Sequence, residues 1–379
     1  MDRKFNKITI VHVGDFMGYP PVLNLVENLL CNGYSVQLVS MTNCEKIPQK
    51  LIQNENFKYI KSTLPLSGGL VPKLRRVISE KNKLKSVVEN CMLDSDILWT
   101  TTDLTVKILG NMLFKYRHVM QLMELKERMP LFFNSKRFDF PLSIYAQKAW
   151  KVVVPDLDRA YIQQVWWDLP VVPTVLPNKP YSVDYGQLSS EIMDIIQRMK
   201  EGEKKIIFYL GAIGPDRDLE TFAEAIQRKE NYCLYIAGKD ISGGAYLDRI
   251  LEKFSNIVYL GFFSAPQHLA LLEHAHIGLT PYIPEKNSDN SELNALYCAP
   301  NKIYEYSAFG IPMIGTNVLG LKRPFEQYNI GRCCEDMTEG SILASLDDIE
   351  KNYDEMRSNC FKFYQKDDLD NIVREIIEG

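Results

Sequence analysis

The chain has 379 residues, 46% hydrophobic and 24% charged, with a net charge of −4. That length suits two domains rather than one core. The composition is that of a soluble globular protein and excludes a fibrous or disordered chain, and no apolar run approaches the ~18 residues of a membrane helix. The charge is unevenly spread. Residues 1–180 hold 24 Lys+Arg against 16 Asp+Glu, or +8, which leaves −12 for the remainder. A basic and an acidic half are expected to meet different partners. Residues 1–13 lead from a short polar start into a strand without the pattern of a secretion signal. The eight cysteines show no CxxC or metal spacing, and Cys333 and Cys334 are adjacent. Reduced thiols in a cytoplasmic protein are expected.

Lys7–Val13 is β-branched and apolar, as in a buried strand. Gly14–Gly18 follows as a loop, Pro20–Leu30 as a helix ended by Asn32-Gly33, and Tyr34–Val39 as a second strand. This is a βαβ opening with a right-handed crossover. Its glycines do not form GxGxxG, so no dinucleotide fingerprint is present. His12, within the strand, is read as a core histidine. Residues 68–92 begin with Gly68-Gly69 and interleave Lys73, Arg75, Arg76, Lys81, Lys83 and Lys85 with leucines and valines. Such a basic amphipathic helix either lies on an anionic surface, binds a pyrophosphate, or is a solvated face. Asp94-Ser95-Asp96 enters the strand Ile97–Thr100, and Asp156-Leu157-Asp158 follows the strand Lys151–Val154. Both are read as boundaries of strands rather than metal motifs. His118–Glu124 is a further strand, with Glu124 at its end. Leu169–Pro180 contains four prolines and is read as a non-helical interdomain linker.

A second α/β series begins at Lys205–Leu210. Gly211 opens a glycine loop, and Arg217 precedes a helix over Leu219–Ile226, an arrangement suited to an anion. Cys233–Gly238, Asn256–Gly261 and His276–Tyr282 follow as strands. His268, His274 and His276 do not share a face at metal spacing, so zinc is not expected.

Ala299–Gly315 is loop, helix, turn and strand. Pro300 suits a first helical position, Gly310 a C-cap, and Pro312 prevents continuation. Asn301, Lys302 and Glu305 cluster in the first turn and a half, where backbone N–H groups and the helix dipole attract a phosphate. Glu305 is placed to accept hydrogen bonds from two sugar hydroxyls. A phosphate-seeking helix start followed by a carboxylate suits a nucleoside diphosphate.

The run Pro-Asn-Lys-x-x-Glu-Tyr-x-Ala-x-Gly-x-Pro-x-Ile, residues 300 to 314, resembles the nucleotide-sugar motif of family 4 glycosyltransferases with the GT-B fold. The glycine loop at Gly211 resembles that family's diphosphate clamp, with Arg217 at its cationic position and Ala212 where an arginine is usual. Tyr297 stands where many members carry a second glutamate, the usual contact to the donor sugar. The opening loop at Gly14 resembles the one beneath the donor phosphates, and Glu124 the polar residue near the acceptor. The resemblance implies an α/β protein of two Rossmann-like domains facing a cleft: residues 1–175 bind the acceptor, 176–355 the nucleotide sugar, and the last helix, in 356–379, crosses back to the first domain. It implies a retaining, metal-independent hexosyltransferase with donor-binding residues Gly14, Gly211, Arg217, Asn301, Lys302 and Glu305. Arg217 and Lys302, and Glu124 on the acceptor side, are the catalytic candidates. The nucleotide sugar is a substrate, and no cofactor or nucleic acid is implied. The acceptor would be a glycan or a lipid-linked sugar in bacterial surface polysaccharide or glycolipid synthesis, reached by a cytoplasmic enzyme touching an anionic membrane. A sugar-nucleotide epimerase of the same fold and a non-catalytic nucleotide-sugar binding module are the alternatives.

Overall fold

The computed structural model describes residues 5–63, 70–131, 138–284 and 291–379, with residues 70–78 as backbone only. The described residues form two compact units. One takes in the chain up to Pro177 together with Asp368–Gly379, the other the chain from Asn178 to Asp367.

The first unit is built on a seven-stranded sheet, in the order β3-β2-β1-β4-β5-β6-β7. Its strands are β1 (Lys7–Val11), β2 (Ser35–Ser40), β3 (Phe57–Lys61), β4 (Ile97–Thr100), β5 (His118–Gln121), β6 (Lys151–Val154) and β7 (Thr174–Val175). Every pair is parallel. A parallel sheet needs a crossover between strands and is covered on both faces, so its strands are apolar throughout rather than alternating. Ile8, Ile10 and Val11 of β1 and Ile97, Leu98 and Trp99 of β4 are accordingly sealed from solvent. The strand expected over 7–13 leaves the sheet at Val11, although His12 N still donates to Val39 O at 2.9 Å. The proline-rich stretch is not wholly linker. Thr174 and Val175 form β7 at the sheet edge, where neighbouring prolines remove no needed hydrogen bond.

One aspartate of each pair acts on the backbone, while Asp94 accepts from the Lys7 and Gln37 side chains. The Asp96 carboxylate accepts from Asn6 N and Lys7 N at 2.8 and 2.9 Å, tying the start of β1 to β4. Asp156 caps the helix Leu157–Trp167 by accepting from Asp158 N and Arg159 N. The basic helix spans Leu70–Cys91 and buries Leu84 and Val88. Gly68 and Gly69 lie outside the described residues, as do the side chains of Lys73, Arg75 and Arg76. The last helix, Leu369–Glu378, buries Val373, Ile376 and Ile377. Its Asp370 accepts from the Asn28 and Asn32 side chains of the helix Pro20–Cys31, at 2.8 and 2.7 Å.

The second unit has a six-stranded parallel sheet in the order β10-β9-β8-β11-β12-β13. These are β8 (Lys205–Leu210), β9 (Tyr232–Ala237), β10 (Ile257–Tyr259), β11 (Ile277–Thr280), β12 (Met313–Gly315) and β13 (Gly331–Cys333). The chain steps outward from β8 to β10 on one side, then returns to pair β11 with the other side of β8. The two directions diverge between β8 and β11, and the crevice at the carboxyl ends of those strands is where doubly wound sheets bind ligands. Among the described residues no helix is long and apolar enough to cross a membrane.

Candidate functional site

The carboxyl ends of β8 and β11 and the helix Asn301–Ala308 place five of the sequence-selected residues in the second unit. That helix is locked beneath the strands by Tyr306, whose hydroxyl donates to Phe208 O at 2.8 Å and accepts from Leu210 N at 3.3 Å. A Cβ on Gly278 of β11 would lie 2.4 Å from the Tyr306 ring, so only glycine lets the ring lie so close to the strand. The helix begins at Asn301, with Pro300 as its cap rather than its first residue. Proline offers no side-chain acceptor, so the cap leaves the first-turn N–H groups to other partners. The Asn178 side chain donates to Ala299 O at 2.8 Å and holds the approach to the helix.

Lys302 projects from this first turn over Gly211. Its Nζ would lie 2.6 Å from a Cβ at position 211, and Gly211 has φ +150°. Space and backbone conformation therefore both demand glycine there. The ammonium donates to the Tyr282 hydroxyl at 3.2 Å and lies 5.1 and 5.3 Å from the ring centres of Tyr209 and Tyr282. Burial, and secondarily the Arg217 charge, push the Lys302 amine down to about 8. Arg217 approaches the same ring, with its guanidinium carbon 4.5 Å from the Tyr282 centre. Its Nη1 donates to the Asp216 carboxylate at 2.6 Å. Two cations thus share one tyrosine, with the Asp216 carboxylate on Arg217 and Glu305 within electrostatic reach of Lys302, an arrangement that still leaves room for an incoming polyanion. Ala212, where an arginine was usual, contributes its carbonyl as acceptor for the Tyr209 hydroxyl.

Glu305 lies one turn further along the helix and is 4% exposed. Its Oε1 is 3.4 Å from His268 Nε2. The structure therefore brings Gly211, Arg217, Asn301, Lys302 and Glu305 into one region of one unit. It adds Tyr209, Tyr282 and His268, which sequence reasoning did not select. Tyr282 lies two residues beyond the end of β11, at the carboxyl side of the sheet where doubly wound folds place ligand-facing groups.

Gly14 and Glu124 belong to the first unit. Gly14 has φ +146°, and its carbonyl accepts from Ser40 Oγ at 2.8 Å and Met41 N at 3.0 Å. His12 is 1% exposed, with Nδ1 2.9 Å from Thr101 Oγ1, and burial pushes its imidazole down to about 4. Glu124 does not end a strand: β5 stops at Gln121, and Glu124 is exposed in the bend beyond it, within electrostatic reach of the Tyr19 phenol. Among the described residues no group of three or more His, Cys, Asp or Glu is placed to hold a metal ion.

No protein-family model matches this chain. TuaH of Bacillus subtilis (strain 168), named as a glycosyltransferase of teichuronic acid biosynthesis, is 24% identical over 183 residues. The match covers 47% of this chain and 44% of that protein, so it spans less than half of the relative's length. Among solved structures, HepE of Anabaena in complex with UDP and glucose superposes with a TM-score of 0.69 at 13% identity, covering 98% of each chain. A glycosyltransferase of Rickettsia africae gives 0.65 at 14% identity over 99% of this chain and 98% of that one. Sucrose-phosphate synthase of Thermosynechococcus elongatus gives 0.64 at 14% identity, over 98% and 94%. The fold is that of the GT-B glycosyltransferases, with an α/β domain on each of two parallel sheets.

Proposed function

We propose that the chain is a glycosyltransferase, resembling family 4, that moves a hexosyl group from a nucleoside-diphosphate sugar to an acceptor. One observation carries this reading. Lys302 and Arg217 converge on Tyr282 at the carboxyl ends of β8 and β11, with the buried Glu305 carboxylate one turn further along the same helix. The relatives support it. HepE was solved with UDP and with UDP-glucose, and TuaH is named for the same class of reaction.

In this reading the diphosphate lies across Gly211, where the missing side chain leaves room. Lys302, Arg217 and the amide at Asn301 stabilise the negative charge that develops on it as the sugar–phosphate bond breaks. The sugar retains its configuration. Fixed cations on the chain carry the electrostatic work, so turnover is independent of divalent metal. Glu305 accepts from the ribose hydroxyls. In the first unit, Gly14 is the donor-binding candidate and Glu124 the catalytic candidate near the acceptor. The excess of +8 over residues 1–180 suits an anionic acceptor, or one displayed on an anionic membrane at the cytoplasmic face, such as a lipid-linked sugar in bacterial surface polysaccharide synthesis.

The test is mass spectrometry after incubation with UDP-, GDP- or ADP-sugars and a bacterial lipid extract. A product heavier by one sugar residue, with an equal amount of free nucleoside diphosphate, is expected. An isomerised donor would identify an epimerase, and an intact donor bound without turnover would identify a binding module.

A further inference from the structure

We infer that His268 is the positioning residue for the nucleotide-reading carboxylate. The inference rests on the reading of Glu305 as the group that takes the ribose hydroxyls. His268 lies in the short 3-10 helix Gln267–His274 and is 6% exposed, against 4% for Glu305. Its Nε2 faces Glu305 Oε1 at 3.4 Å, while its Nδ1 is sealed from solvent with no hydrogen-bond partner among the described residues. A carboxylate only accepts, so the proton sits on Nε2 and the Nδ1 lone pair is left over. The other tautomer would set a lone pair against the carboxylate and bury an unpaired N–H.

A histidine with one orphaned nitrogen is a poor way to fill a core. A phenylalanine would offer a planar ring of similar shape without burying an unsatisfied atom, and such an atom costs free energy. The feature that phenylalanine lacks is the Nε2–H aimed at Glu305. The terminal torsion of glutamate is broad and two-fold, so a buried carboxylate with nothing to hold its plane samples several orientations. Recognition of two adjacent hydroxyls needs one orientation, with both oxygens presented together. A donor on Oε1 supplies it: the oxygen keeps lone pairs for a hydroxyl, and the second oxygen is fixed by the plane. Lys302, one turn earlier on the same helix, interacts electrostatically with Glu305. It acts as a charge and leaves the carboxylate plane to His268.

The experiment is calorimetric titration of the full chain with UDP, ADP and GDP and with their 2′-deoxy forms. It compares wild type with His268→Phe, His268→Gln and Glu305→Gln. Wild type is expected to prefer the ribonucleotide about tenfold, the worth of one net hydrogen bond. His268→Phe should bind ribo and deoxy forms equally, with ribonucleotide affinity about tenfold down in a chain that still melts cooperatively. His268→Gln, whose amide reaches the position of Nε2, should keep the preference within about threefold. Full discrimination by His268→Phe, or equal loss in the Phe and Gln variants, overturns the inference and leaves the role of Glu305 standing. Absence of discrimination in wild type, or its persistence in Glu305→Gln, overturns the ribose role itself and this inference with it.

Discussion

Replacing Lys302 by Met separates binding from stability. The chain length is nearly kept, and the charge is removed from a position 9% exposed. Burial brings the amine from 10.5 to about 8. At about 1.4 kcal/mol for each pH step, folding therefore disfavours the charged amine by about 3 kcal/mol at neutral pH. The sign follows from proton counting. Between about 8 and 10.5 the unfolded chain holds the proton and the folded chain releases it, so stability rises with pH across that window. Below it the whole penalty is present. Lys302→Met should thus leave the melting temperature at pH 7 unchanged or raise it by several degrees, and flatten its rise above pH 8. The same change removes a charge-assisted contact to the diphosphate worth about 1.5–3 kcal/mol, so UDP affinity should fall roughly 10- to 150-fold. Calorimetric titration and thermal melting on the same samples read both effects. Unchanged UDP affinity, or a melting temperature several degrees lower, would refute the view that Lys302 is kept for a ligand at the expense of stability.

Nucleoside diphosphate affinity of the wild type should fall as pH rises above about 8, since the free protein's Lys302 loses its proton there. The fall should be at most about tenfold per pH step and absent from Lys302→Met. Gly211→Ala should cost about 1–2 kcal/mol of stability through backbone strain and displace the Lys302 ammonium, weakening UDP at least tenfold; native affinity with native melting would contradict the cradle. Turnover should survive excess chelator, and complete loss restored by magnesium would show that the chain's own cations do not suffice. Neutralising Arg75, Arg76, Lys81 and Lys83 together should release the protein from vesicles containing anionic lipid and raise the KM for a lipid acceptor without changing donor affinity. A wild type that ignores such vesicles at low salt would point to a soluble acceptor.

The parts of the candidate site legible in the sequence are those whose signals are local. Lys302 and Glu305 stand at helical spacing between a proline and a glycine, and Gly211 and Arg217 follow an apolar strand. The missed parts come from chain segments that only folding joins. His268 meets Glu305 across 37 residues, and its spacing to the other histidines, which bears only on metals, said nothing of a carboxylate partner. Tyr209 and Tyr282 have the apolarity of strand residues, and an aromatic ring in a buried strand has the same sequence signature whether it packs a core or faces a cation. The fold was legible because parallel strands are continuous apolar runs, yet their ends were not: His12 and Val13 remain buried after β1 has ended, and Leu122 after β5. β7 was hidden because two residues among prolines carry no periodicity, and an edge strand needs little of it.

A crystal structure of the full chain grown with UDP would show whether these residues hold the diphosphate. The diphosphate is expected over Gly211, within hydrogen-bond reach of Lys302 Nζ and the Arg217 guanidinium, with the ribose hydroxyls on Glu305. UDP bound elsewhere, or bound with Lys302 still held on the Tyr282 hydroxyl and no contact to phosphate, would contradict it.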